Sequence, residues 1–181
     1  VLTKYVTEQW SLKPEQVFVP NGMAEDPRAE AENYEAEMAK RGFADLQIVG
    51  IGSNGHIGFN EPGSALGSRT RVKTLHPQTR QDNSRFFDND IDAVPVHCIT
   101  QGIGTVMDAD RVLMIATGAA KAVAVAGMVE GPVAAMVPAS VLQFHRRCDV
   151  YVDAVAGAAL KARDYYDFVS ANEDAIPSPR R

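Results

Sequence analysis

Two apolar runs without polar alternation constrain the fold of this chain more than any other feature. They span residues 46–51 (LQIVGI) and 112–117 (VLMIAT). Continuous runs of this length are typical of strands that are buried on both faces. A helix is predicted over residues 25–42, because Asp26 can cap it, Pro27 suits its first position and Gly42 can end it.

The rest of the chain extends this alternation. Residues 119–131 predict a helix that ends at Gly131-Pro132, and residues 154–174 predict a closing helix before a frayed end. Residues 134–145 and 148–153 are apolar enough to add further strands. The 181 residues therefore predict a single α/β domain, an open and mostly parallel sheet with helices on both faces.

Composition excludes several classes of protein. The formal net charge of -5 argues against general nucleic-acid binding and against an anionic membrane surface. No apolar run approaches the ~20 residues of a membrane span. The two cysteines, Cys98 and Cys148, are too few for a disulfide framework and lack metal-site spacing, which predicts a cytoplasmic protein. His76, His97 and His145 show no mutual metal spacing either, so we expect no metal site.

The loop after the first apolar run has the glycine spacing of a dinucleotide-binding loop. Gly50 to Gly55 fit G-x-G-x-x-G. A true dinucleotide site needs its third glycine to open a helix and an acidic residue ~20 positions later. Here more glycines and a proline follow (HIGFNEPG), and the later stretch SRTRVKTL is basic. The context therefore argues against a nucleotide cofactor.

The same loop carries groups suited to acid–base chemistry, at the strand end where α/β sheets bind ligands. Histidine exchanges a proton near neutral pH, and a nearby glutamate can fix its tautomer and raise its basicity. Gly50 and Gly52 allow backbone N–H groups to approach a ligand. A purely structural turn is the alternative, but the combination of histidine and glutamate favours catalysis. The candidate side chains are Asn54, His56, Asn60 and Glu61.

Basic residues predict that the ligand is an anion. Residues 69–85 include five cationic side chains and a single acidic one, Asp82. This excess of positive charge indicates either attraction of an anion or a solvated, mobile loop. Lys121 lies in the first turn of a predicted helix, where free N–H groups and the helix dipole also favour an anion. A small phosphorylated substrate fits both features. The five cations are Arg69, Arg71, Lys73, Arg80 and Arg85.

Several motifs together resemble the glucosamine-6-phosphate deaminase family, also called glucosamine-6-phosphate isomerases. They are GIGSNGHIGFNEPGS, SRTRVKTL, NSRFFDND, QGIGTVMDADRVLMIATGAAKAVAV, VEGPV and PASVLQFH, in order from about Pro20 to Asp153. The resemblance implies a Rossmann-like fold of the sugar-phosphate isomerase/deaminase type. It also implies conversion of glucosamine 6-phosphate to fructose 6-phosphate and ammonia in amino-sugar catabolism, without a metal or organic cofactor.

The resemblance also implies roles for individual residues. His56 matches the acid/base that opens the pyranose ring, and Asn54 and Glu61 match the groups that orient and tune it. Asn54 stands where many members carry aspartate, so we expect Glu61 to dominate the protonation of His56. Arg85 and Lys121 match the ligands of the substrate phosphate.

Further implications concern mobility, regulation and the start of the chain. Residues of about 72–100 match a lid, and Ser64, Arg71 and Lys73 match a site where some members bind an activator between subunits. Whether this chain is regulated or forms a homo-oligomer stays open. Intact members begin with a segment that carries the aspartate base for the C2 proton, and we expect this sequence to lack that segment.

Two alternative functions are compatible with the motifs. A hydrolase resembling 6-phosphogluconolactonase would share the broad fold and a similar glycine-rich loop. A non-catalytic relative that binds a sugar phosphate would need no upstream base. The continuation Phe59 to Pro62 and the stretch SRTRVKTL favour the deaminase, with a small sugar phosphate as ligand and neither nucleic acid nor membrane as partner.

Overall fold

The structure is a computed structural model that describes residues 6–173. Its main sheet has three strands in the order β1-β4-β5, and all three are parallel. Strands β2 and β3 form a separate antiparallel pair. The elements are α1 (Pro27–Lys40), β1 (Leu46–Gly50), β2 (Arg71–Thr74), α2 (Pro77–Asn83), β3 (His97–Thr100), α3 (Ile103–Met107), β4 (Arg111–Ala116), α4 (Ala122–Val129), β5 (Cys148–Val152) and α5 (Arg163–Glu173). Short 3-10 helices span Pro14–Gln16, Ser84–Phe86, Ala119–Lys121 and Pro138–Phe144.

Helix α1 forms where the capping signals predict it. The Asp26 side chain accepts hydrogen bonds from the backbone N–H groups of Arg28 and Ala29 at 2.9 and 3.1 Å, which satisfies two free donors of the first turn. Pro27 occupies the first helical position. After the last turn, Gly42 adopts a φ of +87°, the left-handed conformation that commonly follows a helix.

The hydrophobic core lies on one face of the main sheet. Val112 and Met114 of β4 are fully buried and pack in one cluster with residues of α3, α4 and the Pro138–Phe144 helix. On the opposite face Ile48 is 55% exposed and Ile115 is 44% exposed. The parallel α/β architecture is thus confirmed, but burial of these strands on both faces is not found. The reason is that, within residues 6–173, the core cluster packs against only one side of the alternating side chains.

The strand predicted over residues 134–145 is wrong. Residues Pro138–Phe144 form a 3-10 helix instead. Pro138 has no N–H for a sheet, and the Ser140 hydroxyl bonds locally to the backbone N–H of Ala134 at 2.9 Å. Residues 138–142 are nonetheless buried, and a short buried apolar run has the same composition in a strand and in a helix.

The two remaining C-terminal predictions are confirmed in part. The strand within residues 148–153 forms as β5. The closing helix begins only at Arg163, after turns in which Glu130 accepts the N–H groups of Lys161 and Ala162, both at 2.9 Å. The predicted frayed end after residue 174 lies outside the described residues.

The strand register brings two loops together. β1 and β4 are parallel neighbours, with Gly50 paired to Ile115 at their carboxyl ends. The loop after β1 and the turn after β4 therefore leave the same edge of the sheet, which is where ligands of α/β sheets bind. This edge holds the candidate site.

Two further observations concern the described helices and the cysteines. None of the helices in residues 6–173 combines the length and apolar character needed to cross a bilayer. Cys98 and Cys148 are both free thiols. Burial raises the pKa of Cys98 to about 11, so this thiol stays protonated and unreactive at neutral pH.

Candidate active site

The loop that follows β1 folds back on itself through backbone hydrogen bonds. The N–H of Gly52 donates to the carbonyl of His56, and the N–H of Gly55 donates to the carbonyl of Gly52, both at 2.9 Å. Gly55 has a φ of +86°, a conformation that a residue with a side chain rarely adopts. The carbonyl of Gly55 accepts from the N–H of Ala139 at 2.9 Å, which ties the loop to a buried helix.

Within this loop Asn54 bridges His56 and Glu61. The amide nitrogen of Asn54 donates to Oε2 of Glu61 at 2.8 Å, and its amide oxygen lies 2.7 Å from Nδ1 of His56. Oε2 of Glu61 is farther from the ring, 3.4 Å from Nδ1. The structure thus brings together the three residues that the sequence proposes for proton transfer.

This geometry determines which ring nitrogen of His56 carries hydrogen. An ionised carboxylate only accepts hydrogen bonds, so the Asn54 nitrogen must face Glu61 and the oxygen must face His56. An amide oxygen also only accepts, so Nδ1 of His56 carries the hydrogen. Nε2 is left with a free lone pair and is the atom that can take a proton.

Burial, rather than Glu61, has the largest effect on the protonation of His56. The side chain is 17% exposed, and this burial lowers its pKa by disfavouring the charged form. The negative charge of Glu61 raises the pKa, and the positive charge of Lys121 lowers it. The net pKa lies below the ordinary histidine value, so the expectation that Glu61 dominates is wrong.

Glu61 is held as a carboxylate inside the protein. Burial favours its neutral form, but hydrogen bonds from Thr79 and Asn54 and the nearby His56 outweigh burial and lower its pKa. The hydroxyl of Thr79 donates to Oε1 at 2.5 Å. Sequence reasoning missed Thr79, which lies 18 positions away on helix α2 and carries no motif of its own.

The two glycines predicted to approach a ligand differ in what they do. A Cβ on Gly52 would lie 2.2 Å from Cε1 of the His56 ring, so this glycine makes room for the imidazole. Its N–H already donates to the carbonyl of His56 and is not free for a phosphate. A Cβ on Gly50 would meet only the carbonyl of Ile115 at 3.7 Å, an ordinary contact.

Three of the five predicted cations are committed to the protein itself. Arg69 pairs with Glu35 and Asp108, both at 2.6 Å. Arg80 donates to the backbone carbonyls of Ile91 and Val94 at 2.7 and 2.9 Å. Their role is therefore to hold the β2–β3 region in place rather than to attract an anion.

Arg71 is the third committed cation, and it accounts for Asn60. Nη1 of Arg71 donates to the amide oxygen of Asn60 at 2.9 Å. The Asn60 nitrogen donates to the carbonyls of Ile57 and Gln101, both at 2.9 Å. All groups of this fully buried amide are thus used, so Asn60 frames the loop and is not available for proton transfer.

The two predicted phosphate ligands lie in different situations. Lys121 ends the 3-10 helix after β4, at the sheet edge from which the loop after β1 also leaves, and its positive charge lowers the pKa of His56. Arg85 is exposed and stacks over the ring of Phe86, 4.9 Å from its centroid. Within residues 6–173, no cluster of three or more His, Cys, Asp or Glu side chains could hold a metal ion.

The charge of Lys121 gives a first testable prediction. Lys121→Met should raise the pKa of His56, because it removes a positive charge that disfavours the imidazolium. The pKa is measured by NMR titration of the ring, with the signal assigned through His56→Gln. Lys40→Met serves as the control, since Lys40 pairs with Glu37 on α1. An unchanged or lower pKa in Lys121→Met would contradict the placement of Lys121.

Comparison with known proteins identifies the family. Residues 1–151 match the family model described as glucosamine-6-phosphate isomerases/6-phosphogluconolactonase. The chain belongs to this family. It is 54% identical over 166 residues to a glucosamine-6-phosphate deaminase of Pseudarthrobacter chlorophenolicus, and 53% identical over 166 residues to one of Streptomyces avermitilis. Each alignment covers 92% of this chain and 64% of the relative, so the chain spans somewhat less than two thirds of their length.

Solved structures of the glucosamine-6-phosphate isomerase/6-phosphogluconolactonase family agree with this assignment. A monomeric glucosamine-6-phosphate deaminase matches with a TM-score of 0.84 and 42% identity, over 87% of this chain and 65% of that one. The 6-phosphogluconolactonase of Leishmania guyanensis matches with a TM-score of 0.62 and 20% identity, over 86% and 65% of the two chains. The second likeness shows a shared fold alone. The resemblance found in the sequence motifs is confirmed.

Proposed function

We propose that this chain opens the ring of glucosamine 6-phosphate, in the isomerising deamination that gives fructose 6-phosphate and ammonia. One observation carries the proposal. A largely buried imidazole lies in the loop at the carboxyl end of a parallel strand, with Nδ1 2.7 Å from the amide oxygen of Asn54, an arrangement that leaves Nε2 to exchange a proton, and the positive charge of Lys121 acts on its pKa. The names of the relatives that are more than 50% identical support the substrate.

The geometry supports a specific route for the proton. Nε2 of His56 takes the proton of the anomeric hydroxyl and returns it to the ring oxygen, as the C1–O5 bond breaks and an aldehyde forms at C1. Asn54 cannot accept a proton, so Nδ1 keeps its hydrogen and only Nε2 exchanges one. The carboxylate of Glu61, 3.4 Å from Nδ1, stabilises the imidazolium formed on the way. Because the pKa of His56 is lowered, we expect the active neutral form to persist below the usual histidine range.

A phosphate subsite and a lid belong to the same proposal. Lys121 would bind the substrate phosphate, with Arg85 as the second cation and Gly50 and Gly52 lining the approach. Arg85 stacks on Phe86 at the surface, where its guanidinium is accessible to an anion. Residues 72–100, which carry Arg85, would form the segment that closes over the sugar and excludes water.

Regulation by a second anion site is also proposed. The hydroxyl of Ser64 is buried and has no hydrogen-bond partner within residues 6–173, so it could donate to an anion once the residues that cover it move. Arg71 and Lys73 lie two positions apart on β2 and would supply the charge, although Arg71 must then release Asn60. A homo-oligomer would complete such a site, and the free thiols fit a cytoplasmic location.

The proposal is tested by separating ring opening from the later steps. The chain should accelerate interconversion of the α and β anomers of glucosamine 6-phosphate in exchange NMR, because every opened ring can close to either anomer. Ammonia release measures the complete reaction. Hydrolysis of 6-phosphogluconolactone without either activity would instead favour the lactonase alternative. Saturable binding of the sugar phosphate without turnover would favour a non-catalytic relative.

A further inference from the structure

The carboxylate of Glu61 receives hydrogen bonds from two separate parts of the chain. Oε2 accepts from Asn54 in the same loop at 2.8 Å, and Oε1 accepts from the Thr79 hydroxyl at 2.5 Å. Each carboxylate oxygen therefore has its own donor. Both donor–acceptor distances are typical of strong, charge-assisted hydrogen bonds. Together they fix the rotation of the carboxylate plane.

The orientation of Glu61 is passed on to His56. With Oε2 turned towards Asn54, the amide nitrogen faces Glu61 and the amide oxygen faces Nδ1 of His56. If Glu61 rotates away, the amide loses one of the two contacts that distinguish its ends, and only the backbone N–H of His56, which donates to the amide oxygen at 3.2 Å, still opposes a flip. A flipped amide would present N–H groups to Nδ1 and favour the tautomer with hydrogen on Nε2, which cannot take a proton from a substrate.

Thr79 is suited to hold Glu61 because its own helix is anchored. Its side chain is 3% exposed, and its carbonyl accepts from the side chain of Asn83 at 2.8 Å. The next residue, Arg80, fastens helix α2 to the carbonyls of Ile91 and Val94. These bonds hold helix α2 and residues 91–94 together as one unit, which carries the hydroxyl of Thr79 to Glu61.

We propose that Thr79 is a positioning residue, whose hydroxyl sets the tautomer of His56 by fixing Glu61 against Asn54. This inference rests on the proposed function for its consequence in catalysis, but not for its geometry. Helix α2 runs directly into the 3-10 helix Ser84–Phe86, which carries Arg85. Thr79, which contacts Glu61, and Arg85, the proposed phosphate ligand, therefore belong to one continuous helical segment.

Two substitutions distinguish positioning from packing. Thr79→Val keeps the shape of the side chain and removes the hydroxyl, whereas Thr79→Ser keeps the hydroxyl and removes a methyl group. Positioning predicts that Val is the harmful change and Ser is close to wild type. A role in packing alone predicts the opposite order, because Ser leaves a small cavity.

The first measurement needs no substrate. The ¹⁵N shifts of the His56 ring report its tautomer, and we expect the Nδ1–H form in the wild type and in Thr79→Ser, with a mixture in Thr79→Val. Titration at acid pH should show the pKa of Glu61 raised in Thr79→Val, since a hydrogen bond to its charged form is lost. Lys121 and Asp82 also act on His56 and stay unchanged in both variants.

The second measurement is the rate of anomer exchange. We expect Thr79→Val to slow it by about tenfold, which corresponds to loss of one hydrogen bond to a charged group, and Thr79→Ser to stay within about twofold. An Nε2–H tautomer in the wild type, or an unchanged tautomer in Thr79→Val, would overturn the inference. A wild type that does not accelerate exchange would overturn the proposed function, and the tautomer measurement would still decide the role of Thr79.

Discussion

Replacement of His56 by glutamine should slow anomer exchange of glucosamine 6-phosphate by about 10³-fold, with little change in the KM for the sugar phosphate. General acid–base catalysis contributes about 10²–10⁴-fold, and glutamine has no group that takes and returns a proton near neutral pH. The phosphate would be bound through Lys121, so affinity should not depend on the imidazole. A fall in turnover without a rise in KM indicates loss of a group that acts in the transition state.

The matched control for this variant is His97→Gln. His97 is exposed on strand β3. Its replacement by glutamine is the same chemical change at a position outside the loop. It should retain the wild-type rate, and both variants should unfold at nearly the same temperature as the wild type. A His56→Gln protein that keeps its rate would refute the assignment of the base.

Gly52→Ala should reduce the same rate by about 10²-fold while leaving the fold intact. The new Cβ would lie 2.2 Å from Cε1 and 2.3 Å from Nδ1 of His56, which no ring can tolerate. The imidazole must swing aside and lose its contact with Asn54. A displacement of about 1 Å in a catalytic group can cost 10²-fold in rate.

Gly50→Ala is the control, because its Cβ would make only an ordinary contact, 3.7 Å from the carbonyl of Ile115. Its kcat should stay within about twofold of the wild type, and any loss should appear in the KM for the sugar phosphate, because Gly50 lines the proposed phosphate approach. The ¹⁵N shifts of His56 provide a second measure, since Gly52→Ala should remove the signature of the Nδ1–H bond to Asn54. Equal losses in the two alanine variants would show that glycine is required for loop flexibility rather than for the ring.

Local signals predicted the parts of the fold that local chemistry determines. Asp26, Pro27 and Gly42 gave the helix α1 because a cap, a fixed φ and a left-handed stop act within a few residues. The segment 134–145 was wrongly predicted as a strand, because an apolar composition indicates burial but does not distinguish a strand from a helix. The exposure of Ile48 depends on which elements pack against the sheet. The residue pattern of the strand itself carries no information about those elements.

In the candidate site, too, only the residues that lie close together in the sequence could be predicted. His56 and Glu61 lie five positions apart in one loop, so their types and spacing are visible in the sequence. The contact between Thr79 and Glu61 requires the β2–β3 pair to place helix α2 over the loop, and this is a tertiary relation. The balance of burial against charge at His56 also needed the structure, since sequence shows the charges but not the solvent that is excluded.

The hydrogen bonds around Asn54 also protect it chemically. Asparagine followed by glycine is prone to deamidation, because the unhindered nitrogen of the glycine can attack the side-chain carbonyl carbon. Here both ends of the amide are held, and the N–H of Gly55 donates to the carbonyl of Gly52 at 2.9 Å. Deamidation in an ageing sample would place a negative charge against Nδ1 and raise the pKa of His56. A rise in the pKa of His56 with storage would therefore report deamidation of Asn54.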